Sequence, residues 1–428
     1  MISKTPPTLA LCALMAVLLG AASASVHAAG FAFENQGGKA AGMAGAFVAQ
    51  ASDPSAIFYN PGGLALMEKK KAVSAGTSLL AFNESLYQGL PPGIGTSTTG
   101  EQETPMDIPP HAYITLPVGA RMVAGMGVYS PFRMNTEWAD AGSFAGRYLA
   151  TKSSIEAYDL APTLGIQLSP SLGLGIGAVY RSSEVSVARR LPGQAPSGEG
   201  IVDIASLDMK TDMEPGYGFT AGLLYKGKRL SIGASYRSAI ETDYVGVGRL
   251  TQIETGDAQY DQLIRASLPF DQDLLLTSSL EYPDQASFGV AWSLSKAILL
   301  EVDVNRTGWG SVQDLALRFS SASTLDTSYR LDFEDAMSYR LGARYRLPTG
   351  PQLRVGYAFD ETPQPDTSVG AFLPDSDRST VSVGFGLDWL DVAFSWVTYD
   401  QRIVFTSLQD LNGNYRANGW MFTISATK

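Results

Sequence analysis

From about residue 72 onward the apolar positions recur at every second residue. Leu172, Leu174, Ile176, Ala178 and Tyr180 alternate with Gly173, Gly175, Gly177 and Val179. Leu353, Val355, Tyr357 and Phe359 alternate with Arg354, Gly356, Ala358 and Asp360, and Val381, Val383, Phe385 and Leu387 alternate with Ser382, Gly384 and Gly386. Leu160–Leu168 and Phe288–Leu294 carry the same period. Strict alternation predicts β-strands with one apolar face.

A soluble sandwich would alternate in the same way, so the connections decide. Short turns are expected near Gly119-Ala120, Pro170-Ser171, Gly227-Lys228, Ser295-Lys296, Pro348-Thr349-Gly350 and Leu390-Asp391. Long polar loops are expected near 84–107, 132–153, 191–210, 246–272, 306–332, 361–377 and 406–415. Short and long connections alternate, which predicts fourteen antiparallel strands with turns at one rim and loops at the other. That is the signature of an outer-membrane β-barrel, whose closure pairs every backbone group in a solvent without water. No later run is long and apolar enough for a membrane helix. The opposite strand faces fit a lumen. Glu301 and Asp303 share one face, and Arg340, Arg344 and Arg346 share another, so charge pairs between neighbouring strands are expected to brace the wall.

The first 28 residues read differently. Lys4, the uncharged run Leu9–Gly20 and Val26-His27-Ala28 have the layout of a secretory signal peptide. Residues 29–70 do not alternate and are rich in Gly and Ala. Ala40–Ala46 suits a thin, closely packed helix. Asp53 is placed as an N-cap with Pro54 at the first helical position. Pro61 disfavours helix at Asn60, and Gly62-Gly63 permits a sharp turn. A segment of this size ahead of a barrel is expected to fold back into the lumen as a hatch. The expected organisation is 1–28 signal peptide, 29–70 hatch and 71–428 transmembrane barrel.

Composition narrows the function. The net charge is −11 and the only cysteine, Cys12, lies in the signal-like segment. An acidic chain is a poor partner for nucleic acid. Beyond residue 28 the sole histidine is His111, so neither a His/Cys metal site nor a histidine-dependent hydrolase is expected. No cofactor, metal or catalytic residue is assigned.

The stretches Ala29–Glu34 and Asp53–Pro61, then "GMGVYSPFRMNTEW", "AGRYLATKSSI", "ASFGVAWSLSKAILLEVDVNRTGWGS" and "LRVGYAFDETPQPD…LPDSDR", resemble the FadL/TodX outer-membrane transporters of hydrophobic compounds, in the family's order. The resemblance implies a fourteen-stranded barrel with an N-terminal hatch. It also implies passive import of long-chain fatty acids or aromatic hydrocarbons, without enzymatic activity. In the family an inward kink of the third strand opens the wall beside an Asn-Pro-Ala turn, and the solute leaves sideways into the membrane. Here the turn is Asn60, Pro61 and Gly62, with Gly in the place of Ala. The third strand is expected near Met122–Phe132, with Gly125 and Gly127 letting it bend and Pro131 limiting its pairing. The chain ends Ala426-Thr427-Lys428, where barrels of this membrane usually end in an aromatic residue.

Leu263, Ile264, Leu268 and Phe270 are the candidate capture loop, and Arg340 and Arg344 the candidate cations for a carboxylate. Expected partners are a hydrophobic small molecule and outer-membrane lipid, with the barrel closing as a monomer. The alternatives are import of aromatic hydrocarbons, a water-filled porin, an outer-membrane barrel enzyme and an energised plugged transporter.

Overall fold

A computed structural model describes residues 30–68, 71–89, 99–103 and 106–428. The signal-like segment lies outside the described residues.

Fourteen antiparallel strands close into a barrel. They are β1 (Ala72–Gly89), β2 (Pro110–Gly119, with Thr99–Glu103 above it), β3 (Met122–Trp138), β4 (Lys152–Ser169), β5 (Leu172–Gln194), β6 (Ile201–Thr211 and Glu214–Lys226) and β7 (Leu230–Arg237 and Ile240–Gln252). Then follow β8 (Leu274–Tyr282 and Gln285–Ser293), β9 (Ile298–Thr307 and Asp314–Phe319), β10 (Thr327–Arg330 and Ala336–Arg346), β11 (Gln352–Asp360), β12 (Arg378–Gly386), β13 (Leu390–Tyr399, with Arg402–Val404 beyond it) and β14 (Gly413–Thr427). The last strand pairs with the first, from Ser74 with Thr427 to Gly89 with Gly413, so the sheet closes on itself.

The six short turns fall where the turn chemistry puts them, except that the last lies at 387–389 and Leu390 already begins β13. The loops are shorter than the polarity of their sequences suggests. β5 runs to Gln194 and β6 starts at Ile201, so most of 191–210 is paired strand. The reason is length. A strand of 23 residues spans roughly 70 Å, far more than a bilayer needs. Beyond the lipid the outer face meets water, apolar alternation is no longer required, and the strand reads as loop.

Within the lipid-facing band the alternation holds. Val381, Val383 and Phe385 face outward and exposed, while Ser382 between them is fully buried. The two largest apolar clusters among the described residues fill the interior. One lies beneath the long loops around Phe31, Phe132, Trp138, Trp309 and Phe372. The other surrounds Phe47, Ile57, Phe58, Tyr59 and Leu64.

Residues 30–68 occupy the lumen. They form α1 (Gly38–Ala41), α2 (Ala56–Tyr59) and a 3-10 turn (Pro61–Leu66), with almost every residue buried. The helix expected over Ala40–Ala46 is only the single turn α1, because Ala44 and Gly45 take positive φ and end it. Asp53 does not cap α2 directly. Its Oδ1 accepts from Ser55 N and Oγ at 2.9 and 2.5 Å, and it pairs with Lys39 at 3.1 Å. Burial pushes the Asp53 carboxyl up, but Lys39 and the Ser55 bonds more than offset this and hold it below the usual range.

Candidate functional site

The hatch turn is built around Asn60, which is fully buried. Its Nδ2 donates to Val48 O at 2.8 Å and to Leu223 O on β6 at 3.1 Å. Its Oδ1 accepts from Gly62 N at 3.0 Å, and Pro61 opens the 3-10 turn that follows. Gly62 fits for a steric reason. A Cβ there would lie 2.8 Å from Leu224 N and 2.9 Å from Gly222 O. The wall opposite is also made of glycine. A Cβ on Gly175 would sit 2.1 Å from the Pro61 carbonyl carbon, and one on Gly356 would sit 2.1 Å from that of Met43. The glycines on the inward strand faces leave space for the hatch backbone to approach the barrel backbone.

The lumenal charges hold this arrangement. Asp303 Oδ2 accepts from Phe47 N at 2.8 Å and Val48 N at 3.0 Å. Glu301 Oε1 accepts from Ala49 N at 2.6 Å, and its Oε2 accepts from Gln50 Nε2 at 2.7 Å. These carboxylates do not form ion pairs with Arg340 and Arg344 on the neighbouring strand. They bind hatch amides instead, because four N–H groups of an irregular segment need acceptors in a water-poor lumen. Arg340 donates to Ala44 O at 2.9 Å and pairs with Asp360 at 2.9 Å. Arg344 reaches Gln50 Oε1 at 3.4 Å.

Beside the hatch lies a cavity of about 160 Å³, bordered by residues 30–35, β1, β3, β12, β14 and the loop at 373–376. Its lining mixes apolar groups (Phe82, Leu86, Met134) with Arg133, Arg340, Asp360 and Arg378. Arg340 borders this space and Arg344 does not.

The cavity reaches an interruption in the wall. β3 pairs with β2 up to Val128–Ala112, and with Thr99–Glu103 from Glu137–Glu103 onward. Register is the same on both sides of the interval. Between them no pair between the two strands forms among the described residues. β3 bows inward at a bulge over Ser130-Pro131, where its pairing with β4 also shifts. Phe132 at the apex is fully buried, with Phe31, Tyr282 and Trp309 around it and the Arg181 guanidinium 4.7 Å from its ring centre. Arg181 is held in turn by both oxygens of Asp159 at 2.7 and 2.8 Å. The freed edge of β3 pairs with the start of the hatch. Phe33 N donates to Pro131 O, and Arg133 N to Phe31 O, each at 2.8 Å.

Gly125 and Gly127 are not where the strand bends. A Cβ on either would come within 3 Å of Ile57, so they admit α2, and the bend lies at Ser130-Pro131. Phe31–Phe33 and Arg133, which lie in the family-like stretches Ala29–Glu34 and 125–138, and Asp107 carry no site assignment in the sequence. The alternation of Phe31, Ala32 and Phe33 was the available signal for a short pairing segment.

The loop between β7 and β8 carries α3 (Ala258–Ser267), capped by Asp257, whose Oδ1 accepts from Gln259 N and Tyr260 N at 3.0 Å. Of the four apolar residues expected there, Leu263 is 64% exposed, Ile264 is buried, and Leu268 and Phe270 pack against the rim cluster. His111 is buried with Nε2 2.8 Å from Ser425 Oγ.

Three comparisons bear on identity. The family described as outer membrane protein transport protein (OMPP1/FadL/TodX) matches residues 19–428. A long-chain fatty acid transport protein of Shigella flexneri is 24% identical over 409 residues, covering 86% of each chain. A putative outer membrane protein of Neisseria meningitidis is 26% identical over 399 residues, covering 86% of this chain and 85% of its own. Among solved structures, a Pseudomonas aeruginosa FadL homologue superposes with a TM-score of 0.77 at 22% identity, covering 93% of this chain and 99% of its own. The Ralstonia pickettii toluene transporter TbuX superposes at 0.66 with 16% identity, covering 92% and 98%. The chain therefore belongs to the OMPP1/FadL/TodX family, outer-membrane β-barrel transporters of hydrophobic compounds and not enzymes.

Proposed function

We propose that this barrel imports long-chain fatty acids passively. The solute is captured at the long-loop rim, enters the cavity beside the hatch and leaves sideways between β2 and β3. The observation that carries this reading is the interval of that seam, next to the cavity, in which the described residues of the two strands form no pair. A closed barrel normally pairs every wall residue, and an interruption at membrane depth is tolerated only where other groups take up the freed backbone. Here the hatch residues Phe31 and Phe33 do so. An apolar chain gains roughly 25 cal/mol per Å² on leaving water, so a dry route ending in lipid suits it better than a water-filled pore.

Residues 1–28 are read as a signal peptide, 29–70 as a hatch and the barrel as a monomer. Asn60, Pro61 and Gly62 set the hatch turn, Leu263 offers the exposed apolar contact of the capture loop, and Arg340 borders the path. The names of the curated relatives favour fatty acids. The toluene transporters among the structural neighbours keep aromatic hydrocarbons as the second cargo. The hatch filling the lumen argues against a porin.

The test is uptake of labelled oleate and labelled toluene by transporter-null cells expressing the chain, with Asn60→Ala beside the wild type. Oleate uptake that falls in the variant supports the reading. Toluene uptake alone moves the cargo to hydrocarbons. Uptake of neither, with the barrel inserted, overturns both.

A further inference from the structure

Among the described residues, the interval between β2 and β3 is not held by backbone. The β2-side residues turn to β1 instead. Leu80 and Asp107 exchange both backbone bonds, at 2.8 and 3.1 Å, and Ser78 N donates to Pro109 O at 3.1 Å. On β3, Pro131 O and Arg133 N are used by the hatch. Among the described residues, one polar side-chain link crosses the gap: the Arg133 guanidinium donates through Nε to Asp107 Oδ2. The two side chains are only 12% and 17% exposed, and both border the cavity.

Arg133 also has partners on its other side. Glu156, its register partner on β4, lies 3.3 Å away, and Nη1 donates to Tyr158 Oη at 3.1 Å. Loss of Asp107 would therefore not strand a buried cation, which is the usual cost of breaking such a pair. The link can be given up while Arg133 stays in place.

The partner that could replace Asp107 is chemically defined. A fatty acid in the cavity carries the same group as the aspartate side chain. Exchange of one carboxylate for another keeps the charge-assisted bond on the guanidinium. A neutral hydrocarbon or an alcohol cannot make that exchange. We propose that the Arg133–Asp107 pair latches the side opening, and that a carboxylate-bearing cargo releases it by taking the place of Asp107 on Arg133. This rests on the reading of the β2–β3 seam as the exit. It makes Arg133 a specificity-determining residue.

The test needs no transport. Met134 borders the cavity at the gap and is buried. Met134→Cys, whose thiol is unique once residues 1–28 are removed, is reconstituted into phospholipid vesicles. Its reaction with pyrene-maleimide, which partitions into the bilayer, is timed. Asp107→Asn is expected to speed labelling about five-fold or more, the scale of one partly screened ion pair. Asp107→Glu is expected to restore the slow rate. Sodium oleate is expected to speed labelling of the Asp107-containing protein but not of Asp107→Asn, and oleyl alcohol to leave both unchanged.

Labelling of Asp107→Asn at the unmodified rate, in a barrel that keeps its heat-modifiable mobility, overturns the latch. Equal effects of oleate and oleyl alcohol overturn the carboxylate trigger. Because labelling is read without uptake, a chain that carries neither oleate nor toluene would remove the cargo reading and leave the latch decided separately.

Discussion

The side-chain amide of Asn60, in the hatch, donates to the carbonyl of Leu223, on the barrel wall, at 3.1 Å. The same nitrogen donates to Val48 O, and the amide oxygen accepts from Gly62 N, so one buried side chain ties the turn to itself and to the wall. Asn60→Ala removes all three bonds and leaves two carbonyls and an N–H to find other partners. The expected local cost is about 1–3 kcal/mol. It should appear as faster hydrogen exchange over residues 47–62, with the barrel's heat-modifiable mobility unchanged.

Gly62→Ala is expected to be more damaging than its size suggests, although alanine is the family's usual residue in this turn. The added methyl would meet the β6 backbone at 2.8–2.9 Å, and backbone in a closed sheet cannot withdraw. A loss of about 1–3 kcal/mol follows from overpacking. Limited proteolysis of the hatch checks it, and Gly356→Ala, opposite Met43, should behave alike.

Glu301 and Asp303 act as clamps on the hatch backbone. Asp303→Asn keeps the shape but exchanges a charged acceptor for a neutral one facing Phe47 N and Val48 N. Charge-assisted bonds are about twice as strong as neutral ones. Exchange at amides 47 and 48 is expected to rise, while exchange in the barrel strands stays as it was.

In the loop between β11 and β12, burial, with Asp400 and Asp375 close by, pushes Asp377 up to about 7. The unfolded carboxyl titrates near 4, so between these values the folded loop binds more protons than the unfolded one. The contribution to stability is thus present at low pH and lost as pH rises through about 7. Proteolysis within 361–377 should be faster at pH 8 than at pH 5.5. Asp377→Asn should remove that dependence.

At the rim, Leu263→Ser and Ile264→Ser should separate capture from loop stability. Leu263 is exposed on α3 and Ile264 is buried beneath it. Leu263→Ser is expected to raise the apparent KM for oleate uptake a few-fold, about the worth of one exposed apolar contact. Ile264→Ser should instead make residues 253–273 protease-sensitive.

Read along the chain, the alternation of Val381, Val383 and Phe385 against Ser382 was enough to specify strands with a lipid-facing side. The spacing of turns such as Pro348-Thr349-Gly350 was enough to count fourteen of them. Inward glycines were legible as a periodic row, but their purpose was not, because the hatch atoms they admit lie far away along the chain. Gly175 belongs with Pro61, and Gly356 with Met43. The carboxylates at 301 and 303 were legible as inward-facing. Their partners were not, since strand register alone sets them beside Arg340.

By itself, then, the sequence determined the barrel, its lipid-facing side and the presence of a non-alternating segment ahead of it, because period and turn chemistry are local properties. Tertiary structure alone decided where the pairing of the wall is interrupted. Pro131 marks the place, but the bow requires Phe132 to find Phe31, Tyr282, Trp309 and Arg181 inside the barrel, and requires Phe31 and Phe33 to take the backbone groups that β2 gives up. Such pairings follow from closing the sheet around its own N-terminus, and no local pattern encodes them.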